Sequence, residues 1–504
     1  MARVLWLIAL TALVRLAVAA SLGLSVDESY TVAIGRHLAL SYFDHPPLHV
    51  WLVGLTARLS GSERPLVLRL PDICLFAGST WLMFRLTALA YSERAGFWAA
   101  LAFNLAPLFT LNAAGGILPD GPLVLFALCA VLCFLRALPE AGAPPPRAAL
   151  AWMLAAGCAA GLALLSKYTA LFTVASLALY LLSCRPRLLT TLGPWLAALE
   201  VLILLTPVLV WNAAHDWASF AFQGARARPA AFSVGRALLE FAGQLLYVLP
   251  WTALALLGAL WRALRRGRGD PVAWLFACLA GLPIGVFTLL GLWAVALPHW
   301  AAVGWLFAFP LLGARLARLE ERRPPLPARL AAMSSVLVLL LLALWTSQAA
   351  SGWIERLEPG FASHDPTLDL LDWGALKPVV TPLRRGDPEL VVAAVSWIDA
   401  GKADYALGGA IPVLCLSPDA REFGVQRPLR AFAGRNALIV AGAGRADWLK
   451  LAAPYFRRIV PAADIVLSRG GRPALTLHTA LGFGLRSASE ASGAVQAGAS
   501  DAGS

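Results

Sequence analysis

Stretches of about 20 apolar residues recur through the first 350 positions of this chain, each long enough to cross a bilayer as a helix. They fall at roughly 4–24, 66–90, 95–112, 120–138, 148–165, 169–184, 188–211, 236–262, 271–292, 299–316 and 328–349. The pattern predicts a polytopic α-helical membrane protein with about eleven transmembrane helices. Composition agrees: 59% of the 504 residues are hydrophobic and 14% are charged. A soluble protein carries roughly 25% charged residues. The run from Met1 to Leu24 resembles a secretory signal, but it is long and leads straight into Val26-Asp27-Glu28. It is expected to be an uncleaved first span.

The net charge of +12 has a topological reading. One alternate set of loops is rich in arginine, as in Arg262-Ala263-Leu264-Arg265-Arg266-Gly267-Arg268 and between Arg315 and Arg329. The positive-inside rule places that set in the cytoplasm. The other set is 25–65, 113–119, 166–168, 212–235, 293–298 and everything after about 350, and it holds nearly all the isolated Asp, Glu, His and Lys residues of the membrane half. The N-terminus is therefore expected inside, with the chemistry and the C-terminus on the outer, periplasmic side of a bacterial inner membrane. No interleaving of aromatic and basic residues suggests a nucleic-acid platform. Of seven cysteines, six lie in or at the ends of apolar runs, and no CxxC pair or Cys/His cluster suggests zinc.

After Ser351 the composition turns mixed, and short β-type runs emerge at 390–396, 411–416, 437–440 and 465–467. The expected division is a transmembrane domain over 1–350, an extracytoplasmic α/β domain over 351–486 and a disordered Ser/Ala/Gly tail over 487–504.

The outer loops carry the candidate chemistry. Asp27 and Glu28 sit together at the outer end of the first span, where carboxylates serve as a general base or metal ligand, or simply as a solvated helix end. The segment from Tyr30 to Leu40 has helical spacing and is expected to lie along the membrane interface. Then comes Asp44-His45-Pro46-Pro47, an acid–base pair in a turn stiffened by two prolines. Asp44 could orient His45 or bind a divalent cation with it. Asp120 heads a span, where the helix dipole alone would favour it. Lys167 is one of four lysines and the first of them, with the next after position 350. On the outer side it suggests an anionic partner such as phosphate, unless it merely snorkels. Arg226 and Arg228 also break the positive-inside trend, among Trp211, Asn212, His215, Trp217 and Gln223. His299 ends the last outer loop. In the tail domain Asp399, Lys402 and Asp404 could bind a glycan, but loop polarity explains them equally well.

Together, Asp27-Glu28, the block from Tyr42 to Leu48, Leu118-Pro119-Asp120 and the 211–226 stretch resemble bacterial family 39-type glycosyltransferases. That group stands with protein O-mannosyltransferases and lipid A aminoarabinose transferases in the GT-C fold, and the resemblance covers about 1–350. It implies transfer of a sugar from a polyprenyl-phosphate donor to an envelope acceptor: lipid A or its core, a polysaccharide or a protein. It implies Asp27 as general base or acceptor-placing group with Glu28 beside it, and Asp120 is grouped with them as a catalytic carboxylate. Asp44 and His45 match a position where aminoarabinose transferases have an acidic residue followed by lysine. Lys167 and Arg226 would hold the donor phosphate, His299 would line the donor cavity, and Gln223 falls near a metal-ligand histidine of the family. The competing reading is a transporter or flippase of lipid-linked sugars, which would carry its charges at the midplane of broken helices rather than at one outer face.

Overall fold

A computed structural model of the chain describes residues 1–112, 116–139, 147–228, 230–442, 444 and 447–486. The start of the second outer loop, the three prolines before Arg147 and the tail from 487 lie outside these residues. Among the described residues, eight helices are long and apolar enough to cross a membrane: Ala2–Ser21, Pro65–Ala90, Asp120–Ala137, Ala149–Ser166, Leu192–Ala214, Pro271–Leu290, Pro298–Arg322 and Pro325–Ser351.

The remaining three predicted spans are helical but not simple crossings. The 236–262 run is two helices, Val234–Tyr247 and a second beginning at Pro250, bent by 105°. Pro250 supplies no N–H and restricts the residue before it, and Leu249 takes a positive φ of 68°. Counted as one span, this pair raises the total to nine. The 95–112 run breaks after Asn104, because Pro107 cannot continue the hydrogen-bond ladder, and a short helix Pro107–Asn112 follows. The 169–184 run is a shorter apolar helix, Tyr168–Cys184.

The chain divides into two compact units. The first comprises Met1–Ala19, Ala39–His49 and Arg69–Leu341. Small residues let its helices approach closely. A Cβ on Gly157 would stand 2.7 Å from the Ala197 backbone, and one on Gly313 would run into the Ala95 carbonyl oxygen. Phe76 stacks on Phe103 at 4.8 Å, and Phe109 and Phe309 close the cluster. Arg15, which interrupts the first apolar run, is buried here over the Phe76 ring and donates to the Asn104 side chain.

The second unit comprises Ala20–Leu38, Val50–Leu68 and the chain from Leu342. Its sheet has six strands: β1 (Val391–Ala394), β2 (Val413–Cys415), β3 (Ala437–Gly442), β4 (Phe456–Pro461), β5 (Ile465–Arg469) and β6 (Arg472–Leu485). The order is β2-β1-β3-β6-β4, with β5 also on β6. The β2-β1-β3 half is parallel and the half around β6 is antiparallel. The parallel half is buried on both faces and reads as continuous apolar runs, which made it legible. Strands β4 and β6 were not expected from the sequence.

The first outer loop also differs from expectation. Its helix, Val26–Gly35, is buried from Glu28 to Gly35 rather than lying half-exposed along an interface. Gly401 of the Trp397–Leu407 helix comes so close that a Cβ there would stand 3.0 Å from the Tyr30 Cα. Tyr30 packs edge-on against Trp397. The apolar face expected to meet lipid is covered by protein of its own unit.

Candidate active site

In the first unit, two helix ends bring together residues 47 positions apart in sequence. The Ala149–Ser166 helix stops at Lys167, whose extended backbone turns its side chain off the helix axis. Its Nζ donates to both carboxylate oxygens of Asp120, at 3.0 and 2.8 Å. Both side chains are nearly buried, 12% and 9% exposed. Asp120 heads its helix without capping it, so its carboxylate is committed to the lysine and not to the helix end. His299, on the one-turn Pro298–Ala301 helix, and His45 lie within electrostatic reach of the same carboxylate. Lys167 and Arg226 act electrostatically on His299 in turn. The sequence-predicted Asp120, Lys167, His45, His299 and Arg226 thus share one neighbourhood.

Its walls come from the 211–226 stretch. The Tyr168 hydroxyl and Ser219 share a hydrogen bond of 2.8 Å, and the Tyr168 ring packs on Phe220. Gln223 donates through Nε2 to the Asp44 carbonyl at 2.6 Å, which fixes the Asp44-His45 turn to the Ala218–Arg226 helix. Arg226 lies over the rings of Phe222 and Trp300, 4.9 and 5.8 Å from their centroids. His45 packs edge-on against His49. Sequence reasoning gave His49 no role, yet it is buried. Burial lowers its pKa to about 3; the adjacent His45 pushes the same way, while Asp44 opposes.

Asp27 and Glu28 belong to the second unit. Asp27 is exposed in the first turn of the Val26–Gly35 helix. Glu28 is buried and closes a capping box: Glu28 N–H donates to Ser25 Oγ, and its carboxylate accepts from Ser25 N–H at 2.8 Å. The tail-domain polar residues are also structural. Asp404 is fully buried between Arg36 and Arg427, and Arg36 also grips Glu63 through two nitrogens. Lys402 donates to the Leu24 and Asp369 carbonyls, and Asp399 accepts from Ser396. Among the described residues no group of three or more His, Cys, Asp or Glu side chains is placed to hold a metal ion.

The family described as dolichyl-phosphate-mannose-protein mannosyltransferase matches residues 44–211. The chain is 24% identical over 282 residues to the lipid A galacturonosyltransferase RgtD of Rhizobium johnstonii. That match covers 56% of this chain and 58% of the relative, so the chain spans less than two-thirds of the protein it matches. The crystal structure of ArnT from Cupriavidus metallidurans bound to undecaprenyl phosphate is similar with a TM-score of 0.64 and 18% identity, over 94% of this chain and 97% of that one. The apo oligosaccharyltransferase of Archaeoglobus fulgidus is similar at a TM-score of 0.50 and 12% identity, over 90% and 72%. The chain is therefore a multi-pass membrane protein with the GT-C fold. Its likeness within that fold, to the mannosyltransferase family model over 44–211 and to ArnT, is the one the residue pattern resembles.

Proposed function

We propose that this protein is a glycosyltransferase that moves a sugar from a polyprenyl-phosphate donor to a lipid A, polysaccharide or protein acceptor. The observation that carries the reading is the buried Lys167–Asp120 pair with His299, His45 and Arg226 around it. Such a cluster suits a phosphate that must leave as an anion. The bond between the anomeric carbon and the phosphate oxygen breaks, the acceptor oxygen bonds to that carbon, and its proton goes to a carboxylate base. Lys167 and Arg226 stabilise the charge developing on the departing phosphate. Asp27 is the proposed base or acceptor-placing group, and the likeness to RgtD favours a glycolipid acceptor. Glu28 keeps its capping role and supports Asp27 from the same helix turn.

The loop charges support an N-terminus in the cytoplasm and the sheet unit outside. Labelling of cysteines introduced at Arg147 and Asp387 by a membrane-impermeant reagent tests this: label at 387 alone is expected, and label at 147 alone overturns it. The activity is tested by mass spectrometry of envelope glycolipids and glycans from cells with and without the protein, and by reconstitution with polyprenyl-phosphate sugars. Loss of one sugar from an acceptor in the deleted strain, with transfer restored in vitro, is expected. Movement of the lipid-linked sugar across proteoliposomes without any new glycosidic bond would establish the transporter reading instead.

A further inference from the structure

A second charged site lies in the first unit, away from the lysine–carboxylate pair. The Pro250–Arg266 helix carries Arg262 and Arg266 four residues apart, and the Ala302–Arg322 helix carries Arg315 and Arg318 three apart. Those spacings put each pair on one helix face. All four arginines line a single cleft of about 310 Å³ with Tyr91 and Asp270, and the remaining wall is alanine, valine and leucine. From His299 to Arg315 the chain is helical, so the two sites are roughly 24 Å apart along one helix at 1.5 Å per residue.

The positive-inside rule accounts for arginines at this end of a bundle, but it does not require them to converge. Asp270 is committed twice, to Arg266 at 3.2 Å and to the N–H of Ala273 at 3.1 Å. Glu320 and Glu321, the nearest acidic residues in sequence to Arg318, are turned to Arg94. Arg262, Arg315 and Arg318 have no carboxylate within ion-pair distance among the described residues. Arg262 reaches only the carbonyl of Gly258 on its own helix, at 3.2 Å. A cleft with three uncompensated guanidinium groups and an apolar wall between membrane helices suits a ligand with an anionic head and hydrocarbon chains.

We infer that this cleft binds the headgroup of an anionic phospholipid, with its acyl chains along the apolar wall. The test uses the full chain purified in detergent and three probes: dioleoylphosphatidylglycerol, dioleoylphosphatidylcholine and inorganic phosphate. Retained lipid is read by native mass spectrometry, and the thermal midpoint is read alongside. Preferential retention of phosphatidylglycerol over phosphatidylcholine is expected. In a chain carrying Arg262→Gln and Arg318→Gln, that preference should fall by about tenfold, whereas Arg323→Gln outside the cleft should leave it unchanged. Equal retention of the two lipids by the wild-type chain overturns the inference, and this comparison stands even if the double variant fails to fold. Undiminished preference in a folded double variant also overturns it, as does a midpoint shift by inorganic phosphate equal to that by phosphatidylglycerol.

Discussion

Lys167 and Asp120 meet as a two-pronged ion pair, with Nζ 3.0 and 2.8 Å from the two carboxylate oxygens, at the ends of two different helices. A pair this buried costs desolvation energy and is weak evidence of a stabilising role. Its placement among His45, His299 and Arg226 is what the proposed role in holding the donor phosphate rests on. Removing one partner should unfold as well as inactivate, so the informative variant removes both. Lys167→Met alone is expected to cost about 3 kcal/mol of stability by stranding Asp120. Lys167→Met combined with Asp120→Leu should recover most of that while transfer stays lost. Thermal denaturation and a transfer assay on the same preparations check this; recovery of activity in the double variant would reduce the pair to a structural strut.

Asp27 and Glu28 are adjacent but should respond differently. Asp27 is exposed, so Asp27→Asn is expected to leave folding unchanged and abolish transfer. Glu28 closes the capping box, so Glu28→Ala should cost about 1 kcal/mol of stability. Glu28→Gln keeps a side-chain oxygen for the Ser25 N–H and should cost little. Melting curves beside initial rates separate the two effects.

Asp404 tests the ion-pair hub of the second unit. It is fully buried with Arg36 and Arg427 on either side. Asp404→Ala leaves two guanidinium groups facing a vacated site and should destabilise by about 3–5 kcal/mol. Limited proteolysis of the sheet unit in the variant is the direct measurement; protection equal to wild type would mean the arginines find other partners.

His49 makes a pH prediction. Its folded pKa is lowered to about 3, against roughly 6.5 for an exposed histidine. Between those values the unfolded chain binds a proton that the folded chain does not, so stability rises with pH across this window. The contribution is harmless above about pH 6.5 and costs about 1.4 kcal/mol for each pH unit below it, until the folded imidazole itself protonates. His49→Asn should flatten this part of the stability–pH curve, as measured by thermal midpoints between pH 7 and pH 4. An unchanged slope in that variant would assign the acid sensitivity to other groups.

Sequence alone determined the membrane class and the positions of strands β1, β2, β3 and β5. Those features are written in the length and period of the apolar runs, which are local properties of the chain. The 105° bend was locally encoded too, in Pro250, but an unbroken apolar run masks it. Strands β4 and β6 were illegible because β6 mixes His, Thr and Gly with its apolar residues and is held in place by pairing with three other strands. Glu28 as a cap was encoded locally, in the Ser25-x-x-Glu28 spacing of a capping box, whereas Asp404 became an ion-pair hub only through Arg36 and Arg427, which its own segment does not contain. The same holds for Lys167: its identity and its expected outward side suggested an anion, but only folding chose Asp120 as its partner, because two helix ends 47 residues apart in sequence meet there.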